Sequence, residues 1–229
     1  MYKYIFLDLD NTLWDFNKNS HETLEELFSV FDLSSKGVYD CNDFIIKYKI
    51  ENDKLWSLYR ENKITKDRLR YLRFKKTLNL YDIENHDLVD KISFEYISRC
   101  PLKKNLVPGA LSLLNYLKER YSLTIITNGF KEVQYKKIKQ NNLFDYFDHI
   151  ICSEDLGFNK PSVRIFEHAL SLNLAKSQEC VMIGDSVEAD VQGAVNSNID
   201  CIFFNFNKTK CDLKVLKEVY LLESIKSIL

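Results

Sequence analysis

Two acids end an apolar run near the start of the chain. In IFLDLDNTLW, residues 5–14, Asp8 and Asp10 follow Tyr4, Ile5, Phe6 and Leu7. Aspartate is a poor strand residue and an unpaired buried carboxylate is costly to desolvate, so packing alone does not favour the arrangement. If the chain stays extended, the two acids share one side with their α-carbons roughly 6 to 7 Å apart. One carboxylate can then attack while the other moves a proton. Three further polar clusters follow: Thr127-Asn128-Gly129, then Lys160-Pro161, then Gly184-Asp185-Ser186 with Asp190. Brought together, Asp8, Asp10, Asp185 and Asp190 would set four negative charges against Lys160, an excess that one ammonium does not balance. A Mg²⁺ ion largely cancels that charge, and hard carboxylate oxygens suit it.

The elements that must position these groups are legible as alternating patterns. Strand-like runs occur at YIFLD (4–8), LTIIT (123–127), CVMIGD (180–185) and CIFFN (201–205), with HIIC (149–152) a weaker fifth. Their near-continuous apolar character fits strands covered on both faces, as in a parallel sheet. Helical patterns separate them, opened by Pro108, Phe130 and Pro161 or following residue 187. The expected fold is a doubly wound, Rossmann-like α/β core. Each polar cluster then falls at the carboxyl end of a strand or at a helix start, the edge where open parallel sheets bind ligands. Residues 17–98 break the alternation with HETLEELFSVF, FIIKYKIENDKLWSLYREN, KDRLRYLRFKKTLNL and DLVDKISFEYISR. They predict a helical-bundle cap inserted into a core made of residues 1–16 and 99–229.

Composition narrows the partners. The 229 residues are 45% hydrophobic and 13% aromatic, ample for a packed core, and 32 basic against 33 acidic side chains give a net charge of -1. That balance removes the electrostatic case for a nucleic-acid polymer or an anionic membrane and favours a small solute. No apolar run reaches the length of a membrane span and no signal peptide is evident, so a cytoplasmic protein is expected. The six cysteines show no CxxC and read as structural thiols; His21, His86, His149 and His168 lack ligand spacing.

The four clusters, in this order and each at a strand end or helix start, resemble the haloacid dehalogenase-like hydrolase superfamily. The resemblance covers both core segments and every motif is intact. It implies that Asp8 is the nucleophile and forms an aspartyl-phosphate, and that Asp10 protonates the leaving oxygen and then deprotonates water. It implies that Thr127, with the Asn128 and Gly129 amides, binds phosphoryl oxygens, and that Lys160 balances charge beside Pro161. Asp8, the Asp10 carbonyl, Asp185 and Asp190 are the implied Mg²⁺ ligands, Asp190 directly or through water. Dehalogenases and phosphonatases of the superfamily lack the second aspartate, and sugar-phosphate mutases follow it with Gly-Val rather than Asn11-Thr12, so a phosphatase is expected. LDNTLWDF (9–16), TNGFKEVQ (127–134), SEDLG (153–157), IGDS and FFN look like the superfamily's bacterial pyrimidine nucleoside 5'-monophosphate phosphatases.

A sugar-phosphate phosphatase or phosphoglucomutase-like enzyme is the runner-up, and a non-catalytic binding protein the competing class. The inserted module would act as a lid for a small phosphorylated metabolite, in a monomer or a homodimer. Trp14, Phe16 and Phe130 would either stack on a base or plug the hinge. The basic residues of KDRLRYLRFKK, Arg68 and Arg70 among them, read as a solvated face rather than substrate contacts.

Overall fold

The computed structural model describes residues 1–229. The chain divides into two compact units, Asn17–Lys103 on one hand and Met1–Phe16 with Lys104–Leu229 on the other. No helix is long and apolar enough to cross a membrane.

The inserted segment holds the helices α1 (Phe16–Val30), α2 (Cys41–Arg60), α3 (Lys66–Asn79) and α4 (His86–Arg99). Three of them start where a polar side chain can take the orphan amides of the first turn. Asp40 accepts from the Asn42 and Asp43 amides, Thr65 from Arg68 and Asn85 from Leu88. Tyr48, Phe74 and Tyr96 meet at the centre with ring centroids 4.9 to 5.5 Å apart. The unit runs past residue 98 because Cys100–Leu102 continues α4 as a 3-10 turn. The basic run on α3 is not uniformly solvated: Arg68 is exposed, but Arg73 is buried with its guanidinium carbon 4.4 Å from the Tyr96 ring centre.

The other unit is a six-stranded, wholly parallel sheet flanked by helices. Its strands are β1 (Tyr4–Leu7), β2 (Ser122–Thr127), β3 (His149–Cys152), β4 (Cys180–Gly184), β5 (Asp200–Phe204) and β6 (Lys217–Val219). The order β3-β2-β1-β4-β5-β6 places β1 at the centre, with Ile5 in register with Leu123 on one side and Val181 on the other. The chain runs outward from β1 through β2 to β3 and then crosses back to β4 on the other side of β1, which makes the crevice at the carboxyl ends of β1 and β4 the switch point of the sheet. Helices α5 (Ala110–Lys118), α6 (Lys131–Gln140), α7 (Ser153–Leu156), α8 (Val163–Leu172) and α9 (Gln192–Asn196) complete it, α9 preceded by a π-helical turn, Val187–Val191. Phe6, Ile126, Phe166, Met182 and Phe203 belong to one buried cluster. Every residue of β4 is buried, as an apolar strand covered on both faces must be.

Three local features differ from the sequence reading. HIIC is a strand over the residues expected, but Lys217–Val219 adds a sixth that no apolar run announced. Pro161 does not open α8; the helix begins two residues later, and the Lys160–Pro161 peptide is cis. β1 ends at Leu7, so the extended-chain spacing assumed for Asp8 and Asp10 does not apply. The amides of Leu13 and Trp14 both donate to the Leu9 carbonyl, and Asn11 turns the chain at φ 60°.

Candidate active site

The carboxyl ends of β1, β2 and β4 deliver the first groups. The Asp8 amide donates to the Ile183 carbonyl, which ties the residue after β1 to its neighbour β4. Asp185 follows β4 directly, and Asp190 returns from the π turn, where Ser186 caps the segment by accepting from the Ala189 amide. Carboxylate oxygens of Asp8, Asp185 and Asp190 all lie within 4.8 Å of one another. Gly184 permits that approach: a Cβ there would sit 2.3 Å from Asp190 Oδ2.

One buried cation answers this trio. Lys160, 1% exposed, donates from Nζ to Asp8 Oδ1 at 2.7 Å and to Asp190 Oδ1 at 2.6 Å. Burial alone would lower the Lys160 pKa, but Asp190 and Asp8 overcome it and hold the ammonium above the ordinary lysine range. Burial pushes Asp8 up to about 7 against the pull of Lys160, with Asp190 and Asp10 adding to the rise. Asp185 stands well above the ordinary carboxylate range, through burial first and then Asp8 and Asp190. Burial is the larger cause for both acids, and charge adds to it: a single ammonium cannot neutralise three close carboxylates, so the excess negative charge raises them further. The same imbalance fits a divalent cation. Asp190 has both oxygens engaged, Oδ1 by Lys160 and Oδ2 by the Ser186 amide at 3.1 Å. The Thr12 hydroxyl donates to Asp185 Oδ1 over a long 3.4 Å.

A second cluster surrounds Asp10. Gln134 Nε2 donates to Asp10 Oδ2 at 2.9 Å and to Thr127 Oγ1 at 2.6 Å, and Lys137 Nζ donates to Asp10 Oδ1 at 2.6 Å. Thr127 Oγ1 also accepts from the Gly129 amide at 3.1 Å. With two donors aimed at that oxygen, its own proton is left to donate elsewhere, as a phosphoryl-binding hydroxyl needs. The Gly129 amide is thus engaged inside the turn. Asn128 grips the backbone of Lys160 at both ends, donating to its carbonyl at 3.0 Å and accepting from its amide at 2.8 Å.

The structure thus gathers Asp8, Asp185, Asp190 and Lys160, and links Asp10 to Thr127. Sequence reasoning missed Thr12, Gln134 and Lys137. Trp14 is fully buried, with the Lys137 ammonium 4.3 Å from its ring centre and 5.7 Å from that of Phe16. It has no face left for a base; Phe130 is buried as well.

The sequence matches the haloacid dehalogenase-like hydrolases over residues 2–198. It is 31% identical over 204 residues to the pyrimidine 5'-nucleotidase YjjG of Escherichia coli, covering 88% of this chain and 85% of that one. It is 33% identical over 208 residues to the pyrimidine 5'-nucleotidase PynA of Streptococcus pneumoniae, covering 89% and 84%. Among solved structures, the magnesium-bound HAD-hydrolase YfnB of Bacillus subtilis superposes with a TM-score of 0.89 at 28% identity, covering 99% of this chain and 98% of that one. A parallel sheet in this order, acids at its switch point and a match across most of the chain lead to one conclusion: the protein belongs to the haloacid dehalogenase-like hydrolase family and is a hydrolase.

Proposed function

We propose that this chain is a Mg²⁺-dependent phosphomonoesterase acting on a pyrimidine nucleoside 5'-monophosphate through an aspartyl-phosphate intermediate. The observation that carries the reading is the buried Asp8–Lys160–Asp190 arrangement with Asp185 beside it and Asp10 and Thr127 joined through Gln134. The Asp8 carboxylate attacks phosphorus and the phosphorus–oxygen bond to the nucleoside breaks. Asp10 gives its proton to the departing oxygen. Asp10, now ionised, takes a proton from water, which attacks phosphorus, breaks the bond to Asp8 and releases inorganic phosphate. Lys160 keeps Asp8 in place through its 2.7 Å bond, and the Thr127 hydroxyl and Asn128 amide donate to phosphoryl oxygens.

The acidic set fits a small hard cation. Asp8, Asp185 and the Asp10 carbonyl would hold it, with Asp190 acting through water because both of its oxygens are engaged. When bound, Mg²⁺ supplies charge neutralisation for the phosphate dianion and polarises its oxygens. The substrate class rests on the likeness to YjjG and PynA across most of their length.

Inorganic phosphate release from a panel of nucleoside monophosphates, sugar phosphates and other small phosphomonoesters, with Mg²⁺ and with chelator, tests both levels. Asp8→Asn serves as the blank, since an amide is a poor nucleophile. Metal-dependent release concentrated on pyrimidine nucleotides is expected. Preference for sugar phosphates would replace the substrate class, and multi-turnover release by Asp8→Asn would overturn the mechanism.

A further inference from the structure

Lys137 and Gln134 occupy an unusual place on α6. They are 4% and 0% exposed, in a helix whose neighbouring Lys131, Glu132, Lys136 and Lys139 face solvent. A buried ammonium needs a partner. Lys137 has the Asp10 carboxylate at 2.6 Å and the face of Trp14 at 4.3 Å. Gln134 uses both amide hydrogens, one on Asp10 and one on Thr127. Its orientation is fixed, because a carboxylate only accepts and a flipped amide would set oxygen against oxygen. Its own Oε1 is left buried without a partner. An orphaned buried acceptor is destabilising, so this geometry is not explained by packing. Gly129 completes it: a Cβ there would lie 2.2 Å from Gln134 Nε2.

We propose that Gln134 and Lys137 are positioning residues that hold the Asp10 carboxylate at a fixed place relative to Thr127, with Trp14 as the backstop for Lys137. Each Asp10 oxygen is held by a different α6 side chain, so the carboxylate can neither rotate nor swing away without breaking a bond. Because Gln134 also grips Thr127, the group that moves the proton and the group that binds the phosphoryl oxygen are set at one separation. Sub-ångström placement of this kind is where orientation contributes to rate. The inference rests on the assignment of Asp10 under the proposed function.

The test separates a positioning role from a structural one by leaving group. A nucleoside 5'-monophosphate expels a poor leaving group that needs a proton, whereas p-nitrophenyl phosphate expels a stable phenolate. First-turnover rates for Lys137→Met and Gln134→Leu, with Mg²⁺ present, should fall about 10- to 100-fold on the nucleotide, within the range of general acid-base contributions. The fall on p-nitrophenyl phosphate should be several-fold smaller, KM should move little, and Lys137→Arg should recover part of the rate. In an Asp10→Asn background, Lys137→Met should add almost nothing, since it acts through Asp10. Equal losses on both substrates, or full additivity with Asp10→Asn, would overturn the proposal. If either variant fails to fold by circular dichroism, Gly129→Ala displaces Gln134 from the backbone side and is subject to the same comparison. Absence of turnover in the wild type would refute the functional reading itself; wild-type turnover with unimpaired α6 variants would refute only this inference.

Discussion

The buried acids at the switch point make stability depend on pH and, under the proposed function, on magnesium as well. Asp8 is raised from its ordinary 3.8 to about 7 by burial first, opposed by Lys160 and reinforced by Asp190 and Asp10. Below pH 3.8 the folded and unfolded chains both hold this proton, and it contributes nothing. Between 3.8 and about 7 the folded chain keeps the proton that the unfolded chain has released, so stability falls as pH rises through that window. Above about 7 both are ionised and the penalty stays constant. The full difference corresponds to about 4 kcal/mol, of which about 2 kcal/mol falls between pH 5 and 7. Asp185 is shifted in the same direction and adds to the slope. Mg²⁺ favours the ionised carboxylates and so counters the penalty where it is largest. The assay is a thermal melt from pH 5 to pH 8, in chelator and in Mg²⁺ well above its dissociation constant. The gain in Tm on adding Mg²⁺ should grow by roughly 5 to 10 °C across that range for a chain of this size. Asp8→Asn removes one buried charge, so in chelator at pH 8 it should melt above the wild type and show a shallower pH dependence. A magnesium gain that is flat or shrinks with pH, or an Asp8→Asn profile that parallels the wild type, would refute the reasoning.

Other substitutions read separate parts of the structure. Lys160→Met leaves Asp8 and Asp190 buried without their cation, so it should lose turnover and about 3 to 5 kcal/mol of stability, read by phosphate release and a denaturant melt. Gly184→Ala forces Asp190 aside, because the new methyl would lie 2.3 Å from its Oδ2; magnesium titration followed by Tm should show weaker binding, and unchanged affinity would contradict the placement of Asp190. Asp40→Ala removes the side-chain cap of α2 and should cost about 1 kcal/mol, checked by a melt. Arg73→Met exchanges a buried guanidinium, its Nε without a partner, for an apolar chain of similar reach. The cation-aromatic contact with Tyr96 is worth about 2 kcal/mol when desolvated, less than the several kcal/mol that burying the charge costs. Stability should therefore hold or rise, and a fall of more than about 5 °C in Tm would show the contact to be the stronger term.

How much of this was legible in the sequence follows from what each element buries. β1, β2, β4 and β5 are covered on both faces, so their apolar runs were unmistakable and their ends were placed within a residue or two. β6 is an edge strand of sequence KEV with one buried residue, and a three-residue edge has no pattern to read. The acids of the switch point were legible because carboxylates interrupt a strand that should be apolar. Lys137 and Gln134 obeyed the same logic on a helix, but KEVQYKKIKQ carries so many polar residues that it reads as a surface face. The signal lay in its period rather than its composition. Gln134, Lys137 and Ile138, in phase with the buried N-cap residue Phe130, form the buried stripe of α6 at helical spacing, and two of its three positions hold groups that packing disfavours. Arg73 repeats the pattern on α3, in a stripe with Leu69, Phe74, Thr77 and Leu78. A polar residue in the core phase of an amphipathic helix carries the same implication as an acid at a strand end: something other than packing holds it there. On α6 that something is the carboxylate of Asp10.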